Sequence, residues 1–327
     1  MRCPSLSELP PPPPGKTGFP WTEESLPVPE LSPNGQPWSK ISVVTPSYQQ
    51  GEFIEETIRS ILLQGYPNLE YIVVDGGSTD DTIEIIKRYA PFLNYWISEP
   101  DRGQSHAINK GWTIATGEIL HFLNSDDLLL PGALATVAQT FQTESVQVVS
   151  GICLVKDVDL QKELRIKLPR DFDLAYFLLD REGPGQPATF LTREVVEKTG
   201  DFDERLYYTL DREYWMRVSL RCPGIKVAKL NQPLAVYRWR SECKSARGEA
   251  PYIEREQLLD IYFSELPLPA SLKPLKSQAY STLCWTAADL CLREHVPDKA
   301  VTFFLKALYW NPKLLKSAPG FLRKLMG

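Results

Sequence analysis

No stretch of this 327-residue chain approaches the roughly 18 consecutive apolar residues of a membrane span. Met1-Arg2-Cys3-Pro4 runs into prolines where a secretory leader would turn apolar. The expectation is a cytoplasmic protein, neither secreted nor membrane-spanning. Its six cysteines form no C-x-x-C pair, so neither a zinc site nor a disulfide framework is indicated, and a reducing compartment fits. A net charge of −5 and a pI near 5.5 lack the basic footprint of a nucleic-acid binder, so no nucleic-acid partner is expected. Neither a G-x-x-x-x-G-K-[ST] loop nor a G-x-G-x-x-G fingerprint occurs, which argues against ATP and dinucleotide chemistry. Thr45-Pro46-Ser47-Tyr48-Gln49-Gln50-Gly51 likewise offers no glycine- and lysine-rich phosphate loop for a nucleotidyltransferase.

What is present is an ordinary globular composition, 43% hydrophobic and 24% charged, with one concentrated oddity. Eleven of the 28 prolines fall in the first 37 residues, so residues 1–39 read as an extended arm without helix or ladder donors. From Lys40 the pattern alternates. Ile41-Ser42-Val43-Val44-Thr45 reads as a strand, Ile54, Ile58, Ile61 and Leu62 as a helix face, and Tyr71-Ile72-Val73-Val74 as a buried strand. Helix, strand, helix and strand follow over 82–89, 95–97, 105–115 and 118–123. Such βαβ order predicts a mostly parallel, doubly wound α/β sheet with ligands at the carboxyl ends of its strands. A helix to about Phe141 and a strand over 146–150 come next, then a less regular region. Residues 251–327 read as helical, with Ala279, Leu283, Ala287 and Leu290, and then Ala300, Phe303, Phe304, Ala307 and Leu308, at helix spacing. The segment from Asp298 to Pro312 resembles one helix pair of a tetratricopeptide repeat, which a single copy cannot bury on itself. The basic and apolar end, 314–326, offers peripheral contact with a membrane surface or packs as an ordinary terminal helix.

Chemistry concentrates where strands end. Asn124-Ser125-Asp126-Asp127 follows the apolar run Ile119–Leu123, and hard carboxylate oxygens there can hold a divalent cation beside nucleotide phosphates. Turn chemistry alone would also place Asp and Asn there. Asp75, before Gly76-Gly77-Ser78, can accept the imide N–H of a uracil ring while Tyr48 offers the base an aromatic face. Its plain structural role would be an Asx turn.

Read together and in order, four segments resemble a family 2 glycosyltransferase of the GT-A fold over roughly residues 40–240, within a domain expected to span 40–250. They are Thr45-Pro46-Ser47-Tyr48, Asp75 to Asp80, Asn124 to Asp127, and Gly200-Asp201-Phe202-Asp203-Glu204 leading to Asp211. Glu99-Pro100-Asp101-Arg102-Gly103-Gln104 and Gln186-Pro187-Ala188-Thr189-Phe190 resemble phrases of a bacterial polysaccharide-assembly branch. The resemblance implies nucleotide binding by Thr45, Pro46, Ser47, Tyr48, Asp75, Lys110, Asn124 and Ser125. It implies Mg²⁺ or Mn²⁺ on Asp126, sugar contacts from Asp127, Gln186 and Trp215, and Asp211 as general base, with Glu213 a competitor. The reaction implied is inverting transfer from a nucleotide sugar, a UDP-sugar, to a glycan or lipid-linked saccharide. Three departures count against full activity. Asn124 stands where the family's D-x-D pattern has Asp, Leu210 where it has Glu, and Arg240 where it adds a His. A weakened sugar-nucleotide binder with a helical interaction region is therefore the rival reading.

Overall fold

The β-branched run that opens the alternation forms β1 (Ile41–Ser47), buried at every position. The computed structural model describes residues 1–241, 243–244 and 248–326, apart from the side chains of 322, 324 and 326. After β1 come α1 (Ile54–Leu62), β2 (Leu69–Asp75), α2 (Thr82–Tyr89), β3 (Tyr95–Ser98), α3 (Gln104–Ile114) and β4 (Ile119–Phe122). β1 pairs in parallel with β2 on one side and β4 on the other, and β2 with β3. The spatial order is therefore β3-β2-β1-β4, and the chain reverses its direction of travel across the sheet at β1. That reversal opens a crevice beyond the carboxyl ends of β1 and β4, the place where such sheets bind ligands.

Past β4 the sheet becomes mixed. β5 (Leu128–Leu129), α4 (Ala133–Thr143), β6 (Val148–Lys156), β7 (Glu163–Lys167), β8 (Thr189–Thr192), α6 (Arg193–Thr199) and β9 (Val227–Arg238) extend it in the order β4-β8-β6-β9-β5, with β7 beside β6. β8 is antiparallel to both β4 and β6, and β5 to β9, while β9 runs parallel to β6. The expected parallel winding thus holds as far as β4. β6 and β7 are joined by a short hairpin, a connection that only antiparallel strands allow.

The arm before β1 has little regular structure, as its prolines dictate, yet it is not loose. Cys3, Leu9, Trp21 and Trp38 are buried in it. Arg59 of α1, fully buried, donates to the carbonyls of Pro10, Pro20 and Trp21 and to the Tyr89 hydroxyl. Prolines cannot donate, but their carbonyls accept, and one guanidinium gathers two of these and the Trp21 carbonyl from a segment that could not form a ladder.

By contact density the chain divides into two units, 1–172 with 184–207 and 221–239, and 173–183 with 208–220 and the described part of 240–327. The sheet lies wholly in the first. The second holds α5 (Leu174–Leu178), most of α7 (Leu210–Arg221), α8 (Ala250–Ser264), α9 (Lys276–Arg293), α10 (Pro297–Trp310) and α11 (Ala318–Met326). There Cys284, Ala287, Ala288 and Cys291 of α9 share a core with Ala300, Phe303, Phe304 and Ala307 of α10, and Phe321 of α11 stacks on Phe304 at 4.1 Å. Small residues along α9 let the aromatic side of α10 approach closely. The segment from Asp298 to Pro312, expected to resemble a helix pair by itself, supplies only α10, and its pair is α9.

Candidate active site

Three turns of the first unit meet beyond the carboxyl ends of β2, β3 and β4. In the turn after β4, the Asp127 N–H donates to Asn124 O at 3.0 Å and the Asn124 amide donates to Asp127 Oδ2 at 3.2 Å. The Asn124 carbonyl oxygen accepts from Gln104 Nε2, at the start of α3, at 2.6 Å. Asp127 is fully buried and also accepts the Arg238 N–H at 3.0 Å. Burial, and then repulsion from Asp126, push its carboxyl well above the usual range. Asp126 is left as the half-buried carboxylate of the turn.

Arg238, at the end of β9, fixes this turn from behind. Its Nε donates to Asp126 O at 2.9 Å, its NH1 to Val158 O at 2.5 Å and its NH2 to Glu56 at 2.6 Å. The guanidinium also sits 5.0 Å from the Phe53 ring centroid. Sequence reasoning passed over Arg238 in favour of Arg240, because a buried arginine and a ligand-facing one look alike in a string.

The turn after β2 is built around Asp75. Its Oδ2 accepts from Gly77 N at 3.1 Å, Ser78 N at 2.8 Å and Ser98 Oγ at 2.6 Å, and its Oδ1 from Ser78 Oγ at 2.5 Å. Gly77 adopts φ +82°, a conformation that L side chains rarely take. Gly76 N donates to Ser47 O, directly before Tyr48, whose ring is 59% exposed. On the other side of Gly76 lies Asp101, from the turn between β3 and α3. Its Oδ1 accepts from Gly103 N at 2.7 Å.

The glycosyl transferase family 2 profile matches residues 42–199. An uncharacterized glycosyltransferase of Mycobacterium tuberculosis is 31% identical over 189 residues, 57% of this chain and 71% of that protein. The chain belongs to glycosyl transferase family 2. Among solved structures it is similar to S. aureus TarS in complex with UDP-GlcNAc (TM-score 0.56, 18% identity, 83% of this chain and 91% of that one). It is also similar to the mannosyltransferase PcManGT of Pyrobaculum calidifontis in complex with GDP-Man and Mn²⁺ (TM-score 0.53, 22% identity, 89% of each). The fold is GT-A.

Several residues expected at the glycosyltransferase's donor site lie elsewhere or are already engaged. Thr45 and Pro46 are inside β1, and the buried Thr45 hydroxyl pairs with Tyr71 OH at 3.1 Å, so only the far end of that segment, Ser47 and Tyr48, reaches the strand mouth. Ser47 is buried, with an unpartnered hydroxyl. Asp75 is fully buried and organises its turn, with three donors on Oδ2 and one on Oδ1. Lys110 pairs with Glu99 at 2.6 Å and lines a cavity of about 310 Å³ with Val74, Tyr95, Ile97, Thr113 and Ile114, two turns along α3 from Gln104. Ser125 is buried. Asp127 is enclosed as described. Gln186 is buried too. Its Nε2 donates to Phe122 O at 2.6 Å and its Oε1 has no partner. Asn109 of α3, which the sequence did not single out, holds the backbone of Phe202 through Oδ1 at 2.8 Å and Nδ2 at 2.9 Å, and so docks the Gly200–Glu204 segment.

In the second unit, Asp211 lies in the first turn of α7 and is half-buried, with Oδ1 accepting the Arg212 N–H at 2.7 Å. Glu254 of α8 caps that helix start, accepting from Tyr208 N, Thr209 N and Thr209 Oγ1 at 2.7–2.8 Å. The competitor Glu213 is buried and paired with Arg217 at 2.7 Å. Trp215 is only 3% exposed, so its indole is core and not an open stacking face. The one-face spacing of Asp211 and Trp215 was legible; which side of α7 faces water was not.

Among the described residues no three His, Cys, Asp or Glu side chains gather into a metal cluster. Asp126 is half-buried, and its carboxylate is a hard oxygen donor of the kind a divalent cation takes. Arg240 is half-buried, and its neighbours 242 and 245–247 fall outside the described residues.

Proposed function

We propose that this glycosyltransferase moves a sugar from a UDP-sugar to a glycan or lipid-linked saccharide with inversion. The supporting observation is the turn after β4. Asn124, Asp127, Gln104 and Arg238 are hydrogen-bonded to one another there and fix the backbone that carries the half-buried Asp126 at the strand mouth. Asp126 would hold Mg²⁺ or Mn²⁺, which when bound withdraws charge from the departing diphosphate. Tyr48 stacks on the base. Asp211 takes the proton from the attacking acceptor hydroxyl, a role left to it because Glu213 is neutralised by Arg217. The uridine preference draws on the UDP-GlcNAc bound to TarS, and the GDP-Man on PcManGT makes guanosine the competitor. A lipid-linked acceptor goes with contact of segment 314–326 with a membrane surface, in the cytoplasm, which sedimentation with anionic vesicles checks.

The deciding experiment measures release and transfer from UDP-, GDP- and dTDP-sugars with and without Mn²⁺. Asp211→Asn should lower kcat on the order of 10²–10⁴-fold and leave nucleotide affinity nearly unchanged. A variant as active as wild type removes Asp211 from the base role. The rival reading, a sugar-nucleotide binder without turnover, is favoured by the neutral Asn124 in the family's acidic position and predicts binding of one nucleotide with no release from any sugar.

A further inference from the structure

We infer that Glu254 and Arg255, consecutive residues of α8, are positioning residues that clamp the start of α7 on both sides of Asp211 and so aim its carboxylate; this rests on Asp211 being the base proposed above. The first turn of a helix is where the backbone is least fixed, because its N–H groups have no partner within the helix. Asp211 sits in that turn of α7. Among the described residues its one hydrogen bond joins Oδ1 to the N–H of the next residue, at 2.7 Å. The carboxylate is therefore no better placed than the turn that carries it.

Before Asp211 the clamp is Glu254. One of its oxygens, Oε2, accepts from Tyr208 N at 2.8 Å and from Thr209 N and Thr209 Oγ1 at 2.7 Å each. A threonine just ahead of a helix ordinarily accepts from the helix's own N–H groups. Thr209 is buried and donates to α8 instead, so the cap comes from a side chain 45 residues away, and its negative charge suits the positive end of the α7 dipole. After Asp211 the clamp is Arg255. It pairs at 3.2 Å with Asp180, which also faces Arg212 at 3.4 Å and takes φ +56°, in the left-handed region that Asp adopts more readily than most residues. Arg212 donates to the carbonyls of Phe177 and Arg181 at 3.2 and 3.1 Å, which ties the residue next to Asp211 to the chain at the end of α5. Asp180 is 5% exposed and Arg212 13%, so the pair nearer Asp211 is shielded from solvent screening.

The test measures kcat and KM for donor hydrolysis by the full chain, water serving as acceptor, with whichever UDP- or GDP-sugar it turns over. Rates are referred to the protein that binds nucleotide by calorimetric stoichiometry, so that a partly unfolded variant does not count as a slow one. Glu254→Ala should lower kcat about 10- to 100-fold and leave KM within about twofold, the loss expected when a catalytic group is misplaced by about 1 Å. Glu254→Gln, which can keep an oxygen toward the three donors, should recover kcat to within about threefold of wild type. Arg255→Met should lower kcat about tenfold, again without moving KM. In an Asp211→Asn background neither Glu254→Ala nor Arg255→Met should slow turnover by more than about twofold further, because each acts through Asp211. A merely structural role would exact its cost a second time. Glu254→Ala with wild-type kcat would overturn the inference, as would losses that add in full to that of Asp211→Asn. Asp211→Asn as active as wild type would instead remove the base reading on which the inference rests, and a wild type without turnover would sink the proposed function itself.

Discussion

The two carboxylate turns at the sheet's mouth solve the same problem from opposite distances. Asp75 is satisfied almost entirely by its own turn, from residues two and three positions on, with Ser98 of the neighbouring strand added. The Asn124–Asp127 turn takes its decisive partner from 111 residues away, in Arg238, and another from Gln104. A locally closed turn is rigid wherever the chain places it. One closed by remote groups has its shape only once the mixed half of the sheet has formed, so its capacity to present Asp126 depends on the whole first unit.

Removing the remote partner should therefore have the largest effect. Arg238→Met keeps the backbone N–H that Asp127 accepts but leaves Glu56 and the carbonyls of Asp126 and Val158 without the guanidinium, and should cost about 3–5 kcal/mol of stability by urea unfolding. Metal-stimulated turnover should disappear in the folded fraction. If stability and turnover both survive, the remote closure is not what shapes the turn.

His121, on β4 just before the same turn, sharpens the comparison through pH. It is fully buried, donates through Nδ1–H to Thr189 O at 3.0 Å and stacks on Phe190, and burial lowers its pKa from 6.5 to about 3. The unfolded chain thus takes up a proton that the folded one refuses. Stability from this group is complete above pH 6.5 and is lost as pH falls toward 3. His121→Gln should remove an acid penalty on the order of 2–3 kcal/mol at pH 4, seen as a flatter stability profile between pH 6.5 and 4 than wild type shows. An unchanged profile would mean that His121 is not the group responsible.

The smallest effect is expected at the local turn. Asp75→Asn keeps one acceptor oxygen and should cost about 2 kcal/mol. Urea unfolding checks this, and a loss as large as that of Arg238→Met would mean that the Asp75 turn is not closed locally.

Much of the first half was readable before any coordinates. β-branched runs separated by 3.6-period helices imply parallel strands, and β1 to β4 follow that order. The Asx geometry of Asp75 was also written locally, in Gly76-Gly77-Ser78. Thr45 and Trp215 are covered, which the sequence could not tell, for a common reason: periodicity assigns residues to a face but does not say which face is covered. Lys110 was placed near phosphates by its nearness in sequence to α3's start, yet two helical turns carry it to Glu99 and the groove beside β3.

The sequence by itself determined the arm's lack of ladders, the parallel core, the strand-end position of Asp126 and the helical character of the last third, because each follows from backbone chemistry or from spacing within a few residues. Tertiary structure alone decided that Arg59 would pin the arm, that Arg238 would close the Asn124–Asp127 turn, and that Gly76 would make room for Asp101. Those outcomes depend on which remote polar group reaches a buried acceptor first, and on volume left empty by a missing Cβ, and neither is encoded at the position where it acts.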